Sequence, residues 1–90
     1  MTIVEKLPKY ETKEQALDAV KNWYDFVNLE LEPEMFEWND RHQRELKKDM
    51  WRYHFAHKQA IDLGADVSEF PENIEQYVND HLEKIGRRFD

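Results

Sequence analysis

His54 and His57 stand three residues apart in the stretch MWRYHFAHKQA, residues 50 to 60. At that spacing two imidazoles on a helix can share a metal ion. Zinc takes three or four ligands, however, and the chain has no cysteine, while no glutamate stands one turn away to complete a set. On a helical wheel the two rings point about 60° apart, one toward the core and one toward its edge. A histidine on an apolar stripe is usually hydrogen-bonded within the core, and His42 and His81 also lie on apolar stripes. No metal site and no cofactor is expected.

The acids at helical spacing are Glu34, Glu37 and Asp40, and Glu72 with Glu75. All-helical nucleotide pyrophosphatases hold magnesium with paired Glu-x-x-Glu and Glu-x-x-Asp motifs. Here the second pair ends in Glu75 rather than aspartate, and no lysine-bearing loop follows. The first group is accounted for by ion pairs at i, i+4, from Glu37 to Arg41 and from Asp40 to Arg44. A divalent-metal hydrolase is therefore the third reading. Ser68 is the only serine, and no glycine-rich elbow or phosphate loop surrounds it. No catalytic residue is assigned, and the protein is expected not to be an enzyme.

The same stretch carries a second kind of chemistry. Arg41, Arg44, Lys48 and Arg52 recur at i, i+3, i+7 and i+11, with Lys47, Trp51 and Phe55 alongside. Cations hold phosphate and aromatic rings stack on bases, so Arg44, Lys47, Lys48, Trp51, Arg52 and Phe55 form a candidate assembly or ligand face. A nucleotide or short nucleic acid is the alternative ligand. An indole and a phenyl ring one turn apart are costly to leave in water. A neighbouring helix is expected to cover Trp51, with a second copy of the chain or a foreign partner as the other options.

These residues need helices to place them. Thr12 with Gln15 reads as a capping box, and behind it Ala16, Leu17, Val20, Trp23, Tyr24, Val27 and Leu31 return at i+3 and i+4, predicting a helix over about 13–31. Pro33 ends it and suits the first turn of the next. Nothing then breaks a helix until Gly64, so a long central helix is expected over about 34–63, with a core stripe of Met35, His42, Leu46, Met50, Tyr53, His57, Ala60 and Ile61. Pro71 opens a third helix, about 71–85, with Phe70, Ile74, Tyr77, Val78, His81, Leu82 and Ile85 inward and Gly86 as its stop. Residues 1–11 are expected to be extended or frayed, with Ile3, Val4 and Leu7 available for docking. The expected fold is all-α, a single three-helix domain over residues 1–90. Because 90 residues bury only a modest core, a helical homo-oligomer, most simply a homodimer, is expected as well.

The net charge of −7 argues against a general nucleic-acid binder. Residues 1–40 carry 4 basic and 10 acidic side chains, residues 41–58 carry 6 and 2, and residues 59–90 carry 3 and 8. A basic middle between acidic ends can be neutralised within the fold or across a subunit boundary. Glu11, Glu14, Asp18 and Asp25 line the outer face of the first helix, and Glu72, Asp80 and Glu83 that of the third. Carboxylates at i, i+4 lie ~6 Å apart along a helix, close to the phosphate spacing of a DNA strand, so such faces can occupy a basic nucleic-acid-binding site. No signal-peptide pattern and no apolar run of membrane-spanning length is present, so a cytoplasmic location without membrane contact is expected. Together these features predict a small acidic accessory protein of the kind found in bacteria and their viruses. It would modulate or inhibit a larger macromolecule through protein–protein contacts with a basic surface.

Overall fold

Three helices, α1 (Lys13–Glu30), α2 (Asp40–Asp62) and α3 (Ile74–Lys84), make up the computed structural model, which describes residues 9–89 and has no strand among them. Ile3, Val4 and Leu7 lie outside the described residues. Each helix begins at a side-chain cap. Thr12 Oγ1 accepts the Gln15 N–H at 3.1 Å, Asn39 Oδ1 accepts the His42 N–H at 2.9 Å, and Asn73 Oδ1 accepts the Gln76 N–H at 3.1 Å. Each thereby satisfies a helix N–H that has no intrahelical partner. The Gln15 amide reaches back to the N–H of Glu11 at 3.1 Å, one residue earlier than in a regular capping box.

Two helix starts differ from the sequence-based expectation. The central helix begins at Asp40 rather than near Glu34, and residues 31–39 form turns. Pro33 permits a helical first turn but does not require one, and tertiary contacts hold the segment away from it. The Phe36 ring stacks on His42 with centroids 4.8 Å apart, and the Trp38 indole N–H donates to the Arg88 carbonyl at 3.1 Å. Glu37 therefore precedes the N-cap and has no helical i, i+4 relation to Arg41. The third helix begins at Ile74 rather than Pro71. The Pro71 carbonyl instead accepts the Tyr53 hydroxyl at 2.6 Å, and Asn73 caps the helix.

Gly64 and Gly86 end α2 and α3 as expected, with φ of +84° and +72°. Both sit in Schellman motifs. The Ala65 N–H reaches the Ala60 carbonyl and the Gly64 N–H that of Ile61, while Arg87 and Gly86 repeat the pattern onto Leu82 and Glu83. A side chain in that left-handed region costs ~1–2 kcal/mol.

Helix α1 packs closely on α2 through Ala16, Val20 and Val27 against Leu46, Tyr53, Ala56 and Ala60, with Leu31 beside them, all essentially inaccessible. Three alanines at this contact let the two backbones approach. Ile74, Val78 and Leu82 complete the core from α3. Met35 and Ile61, expected in the α2 stripe, are instead 58 % and 52 % exposed. Met35 belongs to the turns before α2. Ile61 lies in the last turn of α2, where the chain leaves at Gly64 before α3 can reach it.

Side chains, rather than close backbone packing, tie α3 to α1. The Tyr77 hydroxyl donates to Asn28 Oδ1, and the Tyr24 hydroxyl lies 3.5 Å from that of Tyr77. Burial pushes the Tyr77 hydroxyl up to about 12, so it remains a donor at neutral pH. The Tyr10 N–H donates to Gln59 Oε1 at 2.8 Å, which holds the segment before α1 on α2. The radius of gyration, 13.8 Å, exceeds the ~12 Å of a compact chain of this length. The extents of 37 × 37 × 19 Å describe a flattened body, and one flank of α2 stays open. Among the described residues no helix is long and apolar enough to cross a membrane.

Candidate functional site

The open flank of α2 and the start of α3 enclose a cleft of about 870 Å³. Lys47, Trp51 and His54 line it from α2, and Glu72, Asn73, Glu75 and Asn79 from the α3 side. Met50, Ile74 and Phe89 supply apolar surface between them. The middle of α2, from Lys47 to His54, forms one side, and the start of α3, from its N-cap Asn73 to Asn79 with Glu72 just before the cap, forms the other. Its two sides carry opposite charge.

Trp51 is 54 % exposed where it lines the cleft. The expectation that a neighbouring helix covers it is not met. On the helical wheel Trp51 lies about 160° from Tyr53, so the core contact made by Tyr53 does not cover it, and it lines the cleft beside the start of α3 instead. Its indole packs edge-on against Phe55 at 4.7 Å and stacks with His54 at 6.2 Å. The three rings form an aromatic ridge along one turn of α2.

The rest of the basic face divides. Arg44, Lys47 and Lys48 are exposed, with the Lys47 ammonium 4.9 Å from the centre of the Phe89 ring and the Lys48 ammonium 3.8 Å from Glu45. Arg52 does not join the outward row. It turns toward α1, bonds Asp49 Oδ1 at 2.7 Å, and lies 5.3 Å over the Trp23 ring. A buried carboxylate at residue 49 needs a cation, and Arg52 is one turn away on the same helix.

Asp49 belongs to a polar cluster between α1 and α2. Glu30, 9 % exposed, has its carboxyl group beside that of Asp49, and its Oε2 has no hydrogen-bond partner among the described residues. Burial, then the bond to Asp49 and the charges of Asp49 and Glu45, push the Glu30 carboxyl from 4.5 up to about 9, with Arg52 opposing. One guanidinium serves two buried carboxyl groups, so Glu30 keeps its proton at neutral pH. The sequence does signal this cluster. Glu30 falls three residues after Val27, and Asp49 three after Leu46 and four before Tyr53, so both sit on apolar stripes.

The histidines separate as the wheel predicts. His57 is buried beside the Tyr53 ring and His54 is exposed. Burial lowers the His57 pKa, nearby Glu72 raises it, and His54 lowers it further. His42 is buried with Nε2 2.8 Å from the Glu30 carbonyl, and His81 lies beside Tyr77. Among the described residues no three His, Asp or Glu side chains are placed to hold a metal ion.

Glu11, Glu14, Asp18 and Asp25 are all exposed, and so are Glu72, Asp80 and Glu83. Glu14, Asp18 and Asp25 follow one outer face of α1, with Lys21 beside them. Of the acids assigned to α3, only Glu72 reaches the cleft. No protein-family model, no curated protein and no solved structure matches this chain.

Proposed function

We propose that this protein acts by binding rather than catalysis, engaging a basic site on a larger macromolecule through acidic helical faces and thereby modulating or inhibiting it. The observation that carries the reading is the exposed row Glu14, Asp18 and Asp25 on α1, whose carboxylates have no ion-pair partner among the described residues. Glu14 and Asp18 stand one turn apart, ~6 Å along the helix and close to the phosphate spacing of a nucleic-acid strand, and Asp25 adds a third carboxylate two turns on, beyond Lys21. A small accessory protein of bacterial or viral kind, working in the cytoplasm, fits this mode of action.

Binding of a nucleotide or short nucleic acid at the aromatic ridge has less support. Arg52 is committed to Asp49, and Glu72 and Glu75 face the ring that a base would stack on. Carboxylates at that position repel phosphate.

Pull-down from lysate with mass spectrometry supplies the partner, and charge reversal then tests the surface. Asp18→Lys with Asp25→Lys should weaken capture of that partner at least about tenfold, because like charges set against a basic site cost several kcal/mol. Helicity measured by circular dichroism should be unchanged, since both residues are exposed. Undiminished capture by a folded double variant rules out α1 as the binding surface.

A further inference from the structure

We infer that the cleft between α2 and α3 is the contact surface for a second copy of this chain, joined about a twofold axis that runs along the cleft. The inference is independent of the α1 acidic face and uses a different side of the molecule.

In an isologous dimer the same patch meets itself, so it must be complementary to its own rotated image. A patch of one sign fails that condition. This patch meets it, with Lys47 on the α2 side, Glu72 and Glu75 on the α3 side, and the exposed Trp51 ring between apolar groups. Charge also selects the axis. A twofold axis along the cleft lays each α2 side over the partner's α3 side and brings lysine to glutamate twice. An axis across the cleft would set lysine on lysine and glutamate on glutamate.

Within one chain this complementarity is unused. Lys47 rests on the Phe89 ring rather than on either carboxylate, and Arg44, one turn earlier on the same outward side, has no ion-pair partner among the described residues. Trp51 provides what an interface centre needs, a large ring beside charges that exclude water at the rim. Closure between two copies covers both indoles at once.

The test uses the whole chain and two single reversals. Sedimentation velocity at roughly 100 µM, a concentration at which an interface of standard size associates, should show a dimer. Lys47→Glu and Glu75→Lys should each raise the dissociation constant by about a hundredfold, since each reversal counts twice in the dimer. Mixing the two variants should restore dimerisation, because the glutamates of one chain then face the lysines of the other at both positions. Only pairing between chains predicts that recovery. Circular dichroism confirms that each variant is folded, and Trp51→Ala should also give a monomer. A monomeric parent chain overturns the inference, as do single variants that remain dimeric or mixed variants that fail to associate.

Discussion

Replacing Glu30 with glutamine should make the protein more stable at pH 8 and abolish the loss of stability that Glu30 causes as pH rises from 5 to 9. Glu30 has its proton affinity raised by burial and by Asp49, from 4.5 to about 9. Below pH 4.5 the folded and unfolded chains both hold that proton, and the stabilisation from keeping it is complete. Between 4.5 and 9 the folded chain holds a proton that the unfolded chain has released, so stability falls as pH rises and is lost through the folded pKa. The slope for one proton is at most ~1.4 kcal/mol per pH unit. At ~4–8 °C of melting temperature per kcal/mol for a domain of this size, the effect is large. Glutamine keeps the shape, carries no proton to lose, and can still donate to Asp49. Thermal melts of both proteins from pH 5 to 9 measure the difference. Parallel pH profiles would show that Glu30 is ionised in the folded chain.

Tyr53→Ala should cost ~3–5 kcal/mol, the range for deleting a large buried aromatic ring. Tyr53 is completely buried, packs against Tyr24 and His57, and donates its hydroxyl to the Pro71 carbonyl at 2.6 Å. A chain of this length has about 5–13 kcal/mol of total stability, so the loss is a large share of it. Tyr53→Phe separates the two contributions. It keeps the ring and removes one hydrogen bond, for a cost of about 1 kcal/mol. Urea denaturation of both variants gives the values, and equal losses would assign the whole effect to the hydroxyl.

The all-α fold is legible because its signals are local. Thr12, Gly64 and Gly86 mark ends that the backbone needs, and the stripes from Ala16 to Leu31 and from Leu46 to Ala60 keep helical period throughout. What sequence reading misplaced depends on contacts far along the chain. Residues 34–39 could extend α2, yet Trp38 is held by Arg88, 50 residues away, and Phe36 by His42. Arg52 reads as part of an outward basic row until Asp49 and Trp23 claim it. The Glu30 and Asp49 pair was visible in the period but masked by residue type, since acids are normally assigned to solvent. The cleft depends on the angle and length of α3 relative to α2, and no periodicity reports those.

The tyrosine link between α3 and α1 has a consequence for motion. Eleven residues are too few for a helix to persist alone in water, so α3 is ordered by its docking. It is held by Ile74, Val78 and Leu82, by the Tyr77 hydroxyl on Asn28, and by the Tyr53 hydroxyl on Pro71. Its detachment is a local unfolding event of lower free energy than loss of the α1 and α2 pair, and amide hydrogen exchange should be faster along α3 than in the middle of α2. The acidic side of the cleft departs with it. Anything that fills the cleft must also slow exchange in α3, so occupancy of the surface and order of the helix become one equilibrium.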